Sequence, residues 1–266
     1  MTHLLALLHA VVMCLVLMSP TLGQDMMQHV DLGSPEMTTA EMSRADIESA
    51  LASALPGQTH DFTGKKLSGL DLSGLNLSGV ILRAAKLNKS NLADANLDGA
   101  VLDQAWLLDA DMSRASLKNA HLFGAQMRRA RLDGADLSGA RVTADLTGAS
   151  LVGAQLAGTD LSADMKNQSM GLMRGVLRSA NLEGADLSRA NLARTDLEFA
   201  SLNGANLSGA SLKGASLGGA RLIGTNVSGA DFLDADLTSA RLINPIGLET
   251  ARNFEKAQNS GRLLRQ

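Results

Sequence analysis

Residues 205–222 read ANLSGASLKGASLGGARL, one five-residue phrase repeated with small changes: Ala, a small polar residue, Leu, then two turn-forming residues. Stepping by five from Leu67 keeps Leu or a near equivalent on one beat through Leu72, Leu77 and Leu82 to Met127, Leu132, Leu137 and Val142. Two residues before most of these centres stands Ala, as in Ala95-Asn96-Leu97 and Ala135-Asp136-Leu137. A residue and its second neighbour share one side of an extended chain, so Ala and Leu point together and the residue between them points away. The remaining pair is commonly Ser-Gly, Asp-Gly or Lys-Gly, which suits a tight turn because Gly accepts positive φ. A turn every five residues rules out both a flat sheet and a helix. The chain must coil about an axis, stacking a column of Leu on each side.

The phrase resembles that of the pentapeptide-repeat family, whose motif is Ala, then Asp or Asn, then Leu, then two variable residues, and the match runs over residues 61–244. The resemblance implies an all-β fold, a right-handed quadrilateral β-helix with four phrases per coil and residue n beneath residue n+20. The array then holds about nine coils spaced by roughly 4.8 Å. Four inward walls meet around a narrow axis, so the Ala slot has to stay small. Leu70, Leu75 and Val80 occupy it near the start, which predicts a wider first coil.

The beat slips twice. After Val142 the next centre is Leu146, a step of four in which Ala144 serves both phrases. After Leu161 a second step of four reaches Met165 through Ala163-Asp164-Met165, followed by Met170 and, seven residues later, Leu177. This places Val142 beneath Leu161 and Leu146 beneath Met165. In the alternative reading, the irregular segment 163–176 leaves the coil as a loop.

The flanks read differently. Residues 1–23 carry an apolar run from Leu4 to Met18 that is shorter than the roughly 20 residues of a membrane-spanning helix, and then Ser19-Pro20. They read as a cleaved signal peptide, so the chain is expected to be exported, periplasmic or secreted, with no transmembrane segment after cleavage. Within the N-terminal segment 24–60, a helix is expected near 36–55, with Ile47, Ala50, Leu51, Ala54 and Leu55 on one face and Pro56-Gly57 as its end. Residues 245–266 are expected to form a C-terminal helical cap and tail, Leu248, Ala251 and Phe254 turning inward. Open solenoid edges invite aggregation, so both ends need cover. A homodimer through the C-terminal end is one way to supply it.

The composition argues against catalysis. The chain is 45% hydrophobic but has only 5 Phe, 1 Trp and no Tyr, and its net charge of −3 leaves the array neutral, with 19 basic and 19 acidic residues. The one cysteine, Cys14, lies in the apolar run, and no phosphate loop, dinucleotide fingerprint or zinc spacing is present. We expect no enzyme, no cofactor, no resident metal and no nucleic-acid partner. The expected partner is another protein, met at outward apolar positions: Ile81 and Val101 stacked on one side, Phe123 just beyond them, and Trp106 and Leu108 on the adjoining side. The N-terminal helix folding back over this patch is the competing reading. Arg114, Arg128, Arg129, Arg131 and Arg141 form a basic cluster beyond it, suited to an acidic partner or simply solvated. Met165, Met170 and Met173 are candidates for Cu(I), against the ordinary reading that Met fills an imperfect interior. The resemblance also raises imitation of DNA toward a topoisomerase, which an export signal and a neutral array oppose.

Overall fold

The structure, a computed structural model, describes residues 30–53, 59–165 and 173–263, so the signal-peptide reading, Ala54, Leu55, Pro56-Gly57 and Met170 lie outside the described residues. Met1–Leu32 and Gly33–Gln266 form two separate units, and the second contains the whole repeat array. The backbone of this second unit is a stack of single parallel bridges between residues one coil apart. Asp61↔Ile81↔Val101↔His121↔Arg141 makes one column, and columns through Lys66, Asp71 and Asn76 make the other three. Among the described residues, only Arg221–Ile223 (β1) and Arg241–Ile243 (β2) are long enough to count as strands, paired parallel in the same register.

The backbone polar groups of each phrase are satisfied by the neighbouring coils and by its own turn. The centre's N–H donates to the coil above, as Leu97 does to Ser116 (2.6 Å), and its carbonyl accepts the N–H three residues on, as from Ala100 (3.0 Å). The residue before the next Ala takes a left-handed φ, as at Gly99 (φ 66°). The outward Asp or Asn then has a clear role: its carboxylate or amide oxygen accepts the N–H two residues later, as Asp136 does from Ser138 (2.9 Å) and Asn226 from Ser228 (3.0 Å). Leu and Ala fill the inside and are almost wholly buried. Where Thr replaces Ala, its hydroxyl donates to a backbone carbonyl, Thr159 to Leu137 (2.8 Å) and Thr225 to Leu202 (2.7 Å).

The first slip is as the sequence predicts: Gln126 pairs with Asp145 and Arg141 with Asp160, so Val142 does lie beneath Leu161. The second is not. Asp145 pairs with Val176, so Leu177 rather than Met165 stands above Leu146, and Met165 is exposed. The chain leaves the ladder after Ala163 and re-enters at Gly175, the Asp164 N–H donating to the Met173 carbonyl (2.9 Å). The pairing fits the alternative in which the irregular segment leaves the coil: Met165 is not a coil centre, and Met170 lies outside the described residues.

The ends also depart from expectation. The N-terminal helix is two: α1 (Pro35–Thr38) and α2 (Arg44–Ala52), the second opened by a capping box between Ser43 and Asp46. Ile47 joins the core, with Ala50 and Leu51 packed against it. The Glu41 N–H donates to the Lys66 carbonyl (2.8 Å), and Arg44 donates to the carbonyls of Asp71 and Ser73 (both 3.1 Å), which takes up polar groups along the edge of the first coil. Leu70 and Leu75, half-buried in the Ala slot, pack on the same core. At the other end no α-helix forms among the described residues. Residues 246–263 stay in the coil with phrases lengthened to six: Asn226 pairs with Ile246, Asp231 with Arg252 and Asp236 with Gln258. Each phrase contains one 3-10 turn, Leu248–Thr250, Phe254–Lys256 or Ser260–Arg262, opened by left-handed Gly247, Asn253 or Asn259. Ala257 and Leu263 are buried, and the Phe254 ring meets Phe232 edge-on, centroids 5.3 Å apart.

These turn bonds make stability depend on acid. The Ser73 hydroxyl and N–H hold the Asp71 carboxyl below its ordinary value, the Thr238 hydroxyl does so for Asp236, and the guanidiniums of Arg114 and Arg129 lower Asp94 and Asp109. A carboxyl lowered by folding contributes stability that is present above its unfolded-state pKa and lost as pH falls through its folded value. Melting temperature is therefore expected to stay level from pH 7 to 5 and to fall steadily below about pH 4. Thermal melts followed by circular dichroism check this, and a melting point unchanged down to pH 2 would contradict it.

Candidate functional site

The structure brings the apolar patch together much as the register implies. Ile81 and Val101 are bridged neighbours in one column, and Trp106 stands in the adjoining column between Lys86 and Gln126. The patch is less open than expected, however. Ile81, Val101, Trp106 and Phe123 are half-buried, and Leu108 is only 5% exposed. The cover comes from the chain itself. Glu36 of α1 lies 3.5 Å from Lys66 Nζ and 3.3 Å from Lys86 Nζ, on the side of the coil that continues into Trp106. The buried Asn88 links the two parts: its amide donates to the Met37 carbonyl (3.1 Å) and its Oδ1 accepts the Leu108 N–H (3.0 Å). Sequence reasoning missed Asn88, because Asn at a corner reads as a solvated turn residue. On the far side, Met173 comes to Gly124, its Cε 3.1 Å from where a Cβ there would lie.

The basic cluster is a ladder of ion pairs between neighbouring coils. Arg114 binds Asp94 (2.6 Å), Arg129 grips Asp109 through two nitrogens (2.7 and 2.8 Å), Arg131 reaches Asp111 (3.4 Å), Arg128 meets Asp145 (2.6 Å) and Arg141 meets Asp160 (3.0 Å). This is a neutralised face. Exposed pairs of this kind contribute only about 0–1 kcal/mol each, but they leave no surplus positive field for an acidic partner.

Of the methionine candidates, Met165 is exposed, Met173 lies at Gly124, and Met170 is outside the described residues. Among the described residues no three His, Cys, Asp or Glu side chains converge on a point that could hold a metal ion, and no helix is long and apolar enough to cross a membrane. His121 is exposed, and the Asp103 carboxylate accepts the Phe123 N–H (3.0 Å), so that acid serves the fold. Chemistry needs a nucleophile or base free to act. The carboxylates of these columns are engaged in turns and ladders.

One exposed aromatic was missed altogether. Phe199 is 63% exposed and occupies a corner position with φ 59°, where this fold commonly uses Gly. A bulky residue in the left-handed region is an outlier worth explaining. The signal was available, since Glu198-Phe199 stands where the phrases that follow have Asn203-Gly204, Ser208-Gly209 and Lys213-Gly214.

A family model described as pentapeptide repeats matches the chain in 8 copies, over residues 66–104, 110–143, 142–162, 176–214 and 215–244. The unmatched stretch between 162 and 176 contains the excursion. Among solved structures, the chain is similar to HetL, a pentapeptide repeat protein involved in heterocyst differentiation regulation from the cyanobacterium Nostoc sp. strain PCC 7120. The identity is 31%, covering 77% of this chain and 92% of that one, with a TM-score of 0.49. It is also similar to full-length QnrB1, a plasmid-mediated fluoroquinolone resistance protein, at 18% identity over 79% of this chain and 94% of that one, with a TM-score of 0.37. No curated protein matches the chain.

Proposed function

We propose that this chain, which belongs to the pentapeptide-repeat family, is an exported, non-catalytic protein-binding rod whose contact region is the pair of adjoining columns carrying Ile81, Val101, Trp106 and Phe123. On this reading the right-handed coil runs for about nine turns, residues 24–60 and 245–266 close its ends, and a second copy would meet the C-terminal end, where Ile246 is exposed.

The observation that carries the proposal is Trp106. It is the sole Trp of the sequence and projects, half-buried, from a coil whose other outward positions are mostly polar and bonded to their own turns. Trp is among the residues most often found at the energetic centre of interfaces. The contacts of α1 with Lys66, Lys86 and Asn88 and of Met173 with Gly124 leave Trp106 half-buried and still accessible.

The test is a pull-down from the exported fraction with residues 24–266 as bait and Trp106→Ala as control. A partner retained by the parent chain should be lost at least tenfold in the variant, with circular dichroism unchanged. Equal retention by both would place the contact elsewhere, and finding the full chain in the cytosol would remove the export part of the reading.

A further inference from the structure

The C-terminal third carries a second unusual surface, on a different face from Trp106. Arg114, Arg129, Arg131, Arg141 and Arg178 each have a carboxylate in an adjacent coil, whereas Arg83, Arg189 and Arg194 stand singly without an ion pair among the described residues. Arg221 and Arg241 also lack a carboxylate within ion-pairing distance among the described residues, but they face each other directly across the β1–β2 ladder, both exposed. Like charges directly opposite on a sheet repel, so the coil gains nothing by stacking them. Two residues on in the same strands, Ile223 pairs with Ile243, both half-buried and turned to the same side as the arginines. The corner leading to this face holds Phe199, and its ring covers Gly219, two residues before Arg221: a Cβ on Gly219 would lie 2.6 Å from the ring. The bare Gly219 is what allows the ring to lie there.

We propose that this face is a docking surface for an extended acidic segment of a protein partner, whose carboxylates are clamped between Arg221 and Arg241 while alternate apolar side chains rest on Ile223, Ile243 and Phe199. The chemistry is complementary at each point. Two guanidiniums one coil apart, about 4.8 Å, can share one carboxylate, and guanidinium forks bind carboxylates with directional, charge-assisted hydrogen bonds. An extended peptide presents every second side chain to one side, which suits a surface that alternates Arg and Ile in the same way. A long polyanion fits less well, because the charged area is two arginines wide and Glu183 and Glu198 lie in the neighbouring rows. This surface stands independently of the Trp106 region, and either can fail without the other.

The test uses the full chain and a fluorescein-labelled peptide of repeated Asp-Ser-Leu-Ser units, followed by fluorescence anisotropy at low and moderate salt. The acidic peptide should bind, more weakly as salt rises. The Arg221→Glu, Arg241→Glu double variant should weaken it at least tenfold. Phe199→Gly, which places the preferred residue in a left-handed corner, should weaken it severalfold while circular dichroism stays unchanged. Trp106→Ala should leave this binding intact. No binding up to millimolar peptide, equal binding of a Lys-Ser-Leu-Ser peptide, or an affinity untouched by the double variant would each overturn the proposal. So would phosphatidylglycerol vesicles, or self-association of the chain seen by light scattering, showing the arginine dependence in place of the peptide.

Discussion

Leu132→Ala is expected to destabilise the coil by about 3 kcal/mol, within the range of Leu-to-Ala changes in rigid cores. Leu132 has no exposed surface and stands between Met112 below and Leu151 above, as the pairing of Arg131 with Asp111 and Ser150 fixes. Removing three carbons forfeits about 0.8 kcal/mol of transfer free energy for each, and the remainder is the cavity. That cavity has little means of closing: the Leu132 N–H is tied to the Ser150 carbonyl (2.7 Å) and its carbonyl to the Ala135 N–H (3.0 Å), so the backbone cannot collapse inward without breaking the ladder. Because each coil touches only its neighbours, the loss should be local. Urea denaturation gives the total, and amide exchange should show protection falling first in the coils of Met112, Leu132 and Leu151. A cost below about 1 kcal/mol would mean that the Leu column is not close-packed.

That local confinement also explains what the sequence could and could not tell. The Ala and Leu slots were legible because each phrase is held by the same two inward side chains, and any other register would turn them to solvent. The step from Val142 to Leu146 was legible for the same reason, since Ala144 leaves only one way to close the corner. The arginine ladder was legible in principle: Arg114 and Asp94, Arg129 and Asp109, and Arg131 and Asp111 are each 20 residues apart. The patch was placed on the right columns, but its cover depends on Asn88 reaching Met37, a contact between residues 51 apart that no local spacing announces.

The misreadings arose where two structures share one pattern. Ala163-Asp164-Met165 copies the coil phrase letter by letter, and the outcome turns on where the chain can re-enter, which is decided by Gly175 and not by the copy. At the C-terminus, Leu248, Ala251 and Phe254 are three apart, and so fit a helical face and a six-residue coil phrase equally well. The longer spacing of Ala251, Ala257 and Leu263 favours the coil, with left-handed Gly247, Asn253 and Asn259 at the turns. Near the N-terminus, the Ser43–Asp46 capping box begins a new helix at the point where the apolar spacing suggests one continuous helix.

Gly175→Val should have the other large effect, about 3 kcal/mol, and it should change the form of unfolding as well as its midpoint. Gly175 occupies an Ala slot that the excursion has narrowed. A Cβ there would lie 2.8 Å from the Leu161 carbonyl oxygen, 3.1 Å from the Leu161 Cβ and 3.3 Å from the Val142 carbonyl oxygen. The two oxygens are backbone atoms of the coils themselves and cannot rotate away as a side-chain tip could. Relief requires Gly175 to back out, which breaks its bond to the Leu161 carbonyl (2.9 Å) and strains those of Val176 to Ala144 (2.9 Å) and Asp196 to Gly175 (3.0 Å). The first two of these bonds join the coils before the excursion to the coil after it, and the third holds that coil to the next. In a stack stabilised by nearest-neighbour contacts, weakening one junction uncouples the two sides, so the variant should melt in two steps where the parent chain melts in one. Gly175→Ala, with a single added methyl group, should fall between them. A Gly175→Val protein that melts once, at the parent temperature, would show that the chain does not re-enter the coil through this slot.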